Sequence, residues 1–258
     1  MFLTPLVLLL SVCNSRICHN RDRIIKDKQC IGCDLRGIDL HGANLVGANL
    51  VYSNLTGANL SRANLTKAKL SNPPSQFRSA SDVTILDRAN FSGANLTQAE
   101  IYETSLQKAN LQRANLNQAN LRKADLRAAN LNYANLQKAN LRDANLRQAK
   151  LQNANLSGAV MVSAALHQAN LTNAKLIKTQ LSGGSLLGAN LTHADLSYAD
   201  LRSVDVRDVN WQGANLSHAN LENAGLTGPY QRDQDFSGAY LCNTRLPSGQ
   251  IENRDCAR

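Results

Sequence analysis

The chain holds five histidines, six cysteines and nineteen carboxylates among 258 residues, and these are the side chains that would carry catalysis or metal binding. Their spacing supports neither. The sequence contains no nucleophile elbow, no glycine-rich phosphate loop and no metal-ligand spacing. Cys30-Ile31-Gly32-Cys33 is a single C-x-x-C without a second pair, which is weak support for zinc or redox chemistry. Asp125, Asp195 and Asp200 stand where Asn stands in the neighbouring stretches, so each reads as a solvated variant rather than a general acid or base. No catalytic residue, metal ligand or cofactor-binding residue is assigned, and the chain is read as a non-enzyme.

Charge is the surface property with structure in it. Lys and Arg number 28 against 19 Asp and Glu, a net +9. Residues 104–150 hold nine basic and two acidic groups, whereas 1–103 hold eleven and eight, and 151–258 hold eight and nine. The excess is therefore one belt in the middle of the chain. Such a belt fits an anionic partner by electrostatic complementarity. The plainer reading is that solvated positions tolerate Arg and Lys. Aromatics make up 4% of the residues, too few and scattered to stack nucleic-acid bases.

The elements that must position this belt follow from a fixed period. Leucine returns every fifth residue, usually after Ala-Asn, as in Ala109-Asn110-Leu111, Ala114-Asn115-Leu116 and Ala119-Asn120-Leu121. On an α-helix five residues advance about 500°, so no apolar stripe forms. On a flat strand an odd period puts alternate leucines on opposite faces. The pattern works if each unit is a short extended stretch followed by a corner. Ala and Leu, two apart, then both point inward, Asn points out between them, and the next two residues turn. Stacked units pair their backbones at about 4.8 Å and satisfy the peptide groups that a lone coil would leave bare. The spacing alone does not choose between three and four units per coil.

These A-N-L-x-x runs resemble the pentapeptide-repeat family, whose consensus is A(N/D)LXX. The resemblance implies an all-β fold, a right-handed quadrilateral parallel β-helix with four repeats per coil and small caps at both ends. Residues twenty apart then stack. Arg122 lies over Arg142, and Arg127 over Arg147 on the adjacent face, with Lys123 near the shared corner. Arg202 and Arg207 recur on the same two faces three coils further on. These seven residues are the candidate surface for an anionic partner. His167, His193 and His218 fall on three different faces, so they do not converge.

The register runs through Leu35 to Leu70, then from Leu86 to Leu226, with Phe236, Leu241, Leu246 and Ile251 still in phase. Leu70 and Leu86 are sixteen apart, so the phase slips by one, and Pro73-Pro74 in that interval blocks ladder pairing. The expected organisation is a signal peptide over 1–15, an N-terminal cap over 16–32, repeats over 33–70, a loop or distorted coil over 71–85, repeats over 86–241 and a C-terminal cap over 242–258.

A repeat rod needs caps, because its open ends expose apolar side chains and unpaired edges. The segment Cys30-Ile31-Gly32-Cys33-Asp34-Leu35 resembles the opening of exported cyanobacterial members, and AYLCNTRLPSGQIENRDCAR resembles their closing segment. FLTPLVLLLSV is too short to span a bilayer and suits a secretory signal, with cleavage expected after Ser15. Export would place the cysteines in an oxidising compartment. A disulfide between Cys242 and Cys256 is expected there. Cys33 is expected as a small buried thiol, and the pairing of Cys18, Cys30 and Cys33 stays open.

The expected function is a non-catalytic exported scaffold or protein-interaction module of the periplasm or thylakoid lumen, with no transmembrane segment in the mature chain. Its partner would be an anionic protein, polysaccharide or lipid surface, not nucleic acid. The competing reading is a cytoplasmic modulator of DNA gyrase, since some family members imitate the charge of duplex DNA. That role asks for an acidic rod, and this chain is basic.

Overall fold

Each residue before a central leucine pairs in parallel with the residue twenty positions on, as in Asn90, Asn110 and Asn130, or Asn95, Asn115 and Asn135. Four such columns run up the molecule, so each coil holds four repeats and the rod is a right-handed quadrilateral β-helix. The computed structural model describes residues 15–71, 83–225, 241, 244–246, 250–253 and 255. Face 1 carries Leu121, Leu141 and their equivalents; face 2 carries Leu126 and Leu146, face 3 Leu131 and Leu151, and face 4 Leu136 and Leu156.

Local chemistry makes the corner. The central leucine carbonyl accepts the N–H of the alanine three residues on, as from Ala114 to Leu111 at 3.0 Å. That closes a β-turn whose second corner residue takes a left-handed φ, for example +55° at Lys123, +61° at Tyr133 and +69° at Gly158. The asparagine before the leucine explains itself twice. Its side-chain oxygen accepts the N–H two residues on, as Asn110 does from Gln112 at 3.2 Å. Its amide nitrogen donates down the column, as from Asn110 to Asn90 at 3.1 Å.

Alanine and leucine fill a single continuous core, Leu126, Leu131 and Leu136 all being fully buried. Phe91, Met161 and Trp211 take leucine positions in that core. Where a hydroxyl replaces alanine it is satisfied internally: Thr179 donates to the Leu156 carbonyl at 3.1 Å, and Thr104 to that of Leu70 at 3.2 Å.

One coil is longer. Asn59 meets Asn90, a step of 31 residues where the pairs within 29–69 and within 85–220 take 20. The extra chain leaves at the corner between faces 1 and 2. Thr84 is already buried in an alanine position, its hydroxyl accepting the Tyr52 N–H at 2.9 Å, and Ile85 is in the ladder. Pro73 and Pro74 lie outside the described residues.

Helix α1 (Ser15–Asp27) precedes the first coil and buries Ile24 against it. Arg21 donates to the Asp39 carbonyl at 3.1 Å, and the Lys28 ammonium to the carbonyls of Ile25 and Asn44. Asp39 and Asn44 belong to the first coil, whose outer edge pairs with no further coil among the described residues. The ladder starts at Gln29, and Cys30 fills the central position one repeat before Leu35.

Cys33 is not the buried thiol that its inward register suggests. It is half-buried and bonded to Cys30, the Cα atoms 5.5 Å apart. The physical reason is the corner itself: the β-turn brings a leucine position and the next alanine position within disulfide reach.

At the other end β1 (Thr244–Arg245) and β2 (Ile251–Glu252) form an antiparallel pair. Arg245 takes the ladder place on Asn220, and the Leu221 N–H donates to its carbonyl at 2.7 Å. Leu241 is buried. Ile251, expected in phase, is instead 49% exposed, because the chain has turned back into the pair and left the coil. Cys242 and Cys256 lie outside the described residues. Among the described residues, no helix is long and apolar enough to cross a membrane.

Candidate docking surface

The two residues after each leucine form the corners, so the candidate cations stand on the two edges of face 2. The edge shared with face 1 carries Arg122, Lys123, Arg142 and Arg202; the edge shared with face 3 carries Arg127, Arg147 and Arg207. The ladder places successive members one coil apart, through the bonds from Lys123 N–H to the Arg142 carbonyl at 2.8 Å and from Ala128 N–H to that of Arg147 at 2.9 Å.

These seven cations are not equivalent, and the residue two before each arginine decides why. Where it is Asp, the carboxylate holds both the backbone N–H and the guanidinium. Arg127 reaches Asp125 at 2.7 Å, Arg202 reaches Asp200 at 2.8 Å and Arg207 reaches Asp205 at 2.7 Å. Arg36 and Asp34 repeat the arrangement at 2.6 Å near the first coil. Where it is Asn, the amide oxygen holds only the N–H, as for Arg122, Arg142 and Arg147.

Arg122 lies 3.9 Å from Asp143, and Lys123 lies 3.4 Å from Glu103. Among the described residues, no carboxylate lies within ion-pair distance of Arg142 or Arg147. The Arg147 guanidinium donates instead to Nδ1 of His167 at 3.2 Å.

The electrostatics follow the pairing. Hydrogen bonding to Arg202 holds the Asp200 carboxyl below its usual range, and Arg207 does the same for Asp205. Desolvation lowers the His167 pKa, and the charge of Arg147 lowers it further. A neutral His167 is the form that can accept from Arg147.

His167, His193 and His218 stand on three faces, as the twenty-residue spacing requires. His218 stacks on Tyr198, ring centroids 4.5 Å apart, and Lys178 lies 5.8 Å from the same tyrosine ring. Arg113 lies 5.7 Å from the Tyr133 ring on another corner. These columns, and the Asp-x-Arg pairs, went unread in the sequence, although twenty-residue spacing and Asp two before Arg both signal them. Among the described residues, no three His, Cys, Asp or Glu side chains gather as metal ligands.

The family model described as pentapeptide repeats matches residues 30–72, 84–113, 109–148, 139–176, 169–208 and 200–228. Among solved structures, HetL of the cyanobacterium Nostoc, a pentapeptide repeat protein involved in heterocyst differentiation regulation, is 31% identical; the match covers 87% of this chain and 92% of HetL, with a TM-score of 0.76. QnrB1, a plasmid-mediated fluoroquinolone resistance protein, is 20% identical over 85% and 92% of the two chains, with a TM-score of 0.36. A pentapeptide repeat protein from the Arabidopsis thaliana thylakoid lumen is 25% identical over 59% and 70%, with a TM-score of 0.25. The superposition on HetL carries weight; the other two do not reach beyond the repeat itself. No curated protein matches the chain.

Proposed function

Because the chain belongs to the pentapeptide-repeat family, with a core filled by repeated Ala and Leu, we propose that it is a non-catalytic, exported interaction module that docks an anionic partner along face 2. One observation carries the partner's sign: Arg142 and Arg147 project from neighbouring corners of the same coil, with no carboxylate among the described residues in reach, inside the most basic stretch of the chain. Arg122 lies one rung from Arg142 and Arg127 one rung from Arg147; like charges at that spacing repel, and a partner's carboxylates or other anions relieve that repulsion. Membership of a family of generally structural and interaction proteins supports an interaction role over an enzymatic one. The Cys30–Cys33 bond supports export, since disulfides persist in oxidising compartments.

Two measurements test the reading. The mature N-terminus should lie near residue 16 in protein recovered from a periplasmic or lumenal fraction; an intact Met1 in the cytosol would overturn export. Changing Arg122, Arg127, Arg142 and Arg147 to Gln should leave the β-helix circular-dichroism spectrum intact and abolish retention on an anionic resin. Retention should also weaken from low to physiological salt as screening grows. A wild-type rod that no anionic matrix retains at low salt would remove the docking role.

A further inference from the structure

The repeat's outward position before the leucine is held almost everywhere by Asn, Asp or another polar residue. Among the described repeats it carries an apolar side chain at Ile85, Val160 and Ala165. The last two are on adjoining faces of one coil, and Val162 sits on the corner between them. All three are half-buried, as is Leu187 one coil further on, on the opposite edge of face 2. Ser163, Ser182 and Gly183 keep the first of these edges low, so a shallow concavity of about 580 Å3 opens beside Val162.

This apolar stripe adjoins the uncompensated arginines. The Leu141 N–H donates to the Val160 carbonyl at 2.6 Å, Asp143 to Val162 at 2.9 Å and Leu146 to Ala165 at 2.7 Å. Arg142 and Arg147 therefore stand one rung, about 4.8 Å, from the stripe on one side. Three rungs from them stand Arg202 and Arg207, each neutralised by its own aspartate. The surface is cationic at one end, apolar beside it, and electrically quiet beyond.

We propose, resting on the docking role above, that this patch binds a segment of a partner protein in which acidic residues are followed by aliphatic ones. The carboxylates seat on Arg142 and Arg147 while the aliphatic side chains cover Val160, Val162, Ala165 and Leu187. Charge complementarity selects the acidic end. The apolar stripe selects protein over polysaccharide, whose hydroxyl-covered rings gain little from burying valine. Backbone pairing plays no part, because the ladder groups at this level are used by the coils on either side, as in Val160 N–H to the Ala139 carbonyl at 2.9 Å.

The test uses the full chain and two synthetic octapeptides of equal charge, four Asp followed by four Leu and four Asp followed by four Ser. The wild-type chain should bind the Asp-Leu peptide about tenfold more tightly than the Asp-Ser peptide at low salt. Val160→Asn with Ala165→Asn restores the family's usual residue at both positions, so the fold is kept. It should bring Asp-Leu binding down to the Asp-Ser level. Arg142→Gln with Arg147→Gln should weaken both. Equal affinity for the two peptides, or a preference untouched by the Asn pair, overturns the proposal while leaving the basic belt standing. The same holds if anionic vesicles or an acidic polysaccharide outcompete both peptides equally in wild type and Asn variant. If neither peptide binds at low salt, this proposal falls together with the docking role.

Discussion

Asp125 grips Arg127 at two points, Nη2 to Oδ2 at 2.7 Å and Nε to Oδ1 at 2.9 Å, while the same Oδ1 accepts the Arg127 backbone N–H at 3.2 Å. The carboxylate does the turn-forming work that asparagine does elsewhere and cancels a charge as well. Asp125→Asn should keep the first task and lose the second. Surface ion pairs are worth little, so we expect stability to change by less than about 1 kcal/mol. Retention on an anionic resin at low salt should rise, because Arg127 joins Arg142 and Arg147 as a free cation. A variant that elutes with the wild type would show that the pair does not limit the cationic surface.

The second corner residue offers a cleaner stability test. A left-handed φ costs an L-residue about 1–2 kcal/mol relative to the right-handed region, and glycine escapes that cost. Ala128, at φ 55°, is one such position. Ala128→Gly should therefore stabilise the rod by about 0.5–1 kcal/mol, and Ala128→Val should destabilise it by more, since a β-branched residue is a true outlier there. Denaturant midpoints would decide it, and a destabilised glycine variant would sink the argument.

That corner also shows what the sequence held and what it hid. Leu111, Leu116 and Leu121 announce the coil because the core admits one kind of side chain at each step. The twenty-residue pairing, by contrast, is not encoded in the local spacing and came from the family resemblance. The left-handed corner was legible but unread: Val51, Thr56, Thr97, Val162 and Ile177 occur at the first corner position, and none of the described second corner positions holds Val, Ile or Thr. At the site, the columns of arginines follow once the resemblance supplies the twenty-residue pairing. Which arginines are paired depends on Asp or Asn two residues earlier and, for Arg122, on Asp143 of the next coil, relations that periodicity does not weigh. The Cys30–Cys33 bond escaped because the corner geometry that brings the two together is a property of the folded turn.

Core substitutions should report how the rod shares its stability. Leu136 is fully buried in a coil with neighbours on both sides. Leu136→Ala removes contacts from three successive coils and should cost about 2–5 kcal/mol. Leu40→Ala, in the first coil, has a neighbouring coil on one side only and should cost less. Equal losses in thermal or denaturant unfolding would contradict the nearest-neighbour picture of a repeat rod.

His167 makes the candidate surface sensitive to acid. Burial, then the charges of Arg147 and Arg207, press its folded pKa below the ordinary 6.5, with Asp205 pulling the other way. The neutral ring accepts from Arg147 at 3.2 Å. For a group with a depressed folded pKa, the linked stability is present above the unfolded value and is lost as pH falls through the folded one. The rod should therefore weaken slightly on acidification below 6.5. Over the same window its grip on an anionic resin should strengthen, because protonation breaks the contact with Arg147 and adds a cation beside it. An anion seated there would stabilise the charged ring and raise its pKa, which a histidine NMR titration with and without the Asp-Ser peptide would read directly. His167→Gln should remove this part of the pH dependence while the other histidines still titrate. A His167 pKa at or above 6.5 in the free protein would mean that the arginine contact does not hold in solution.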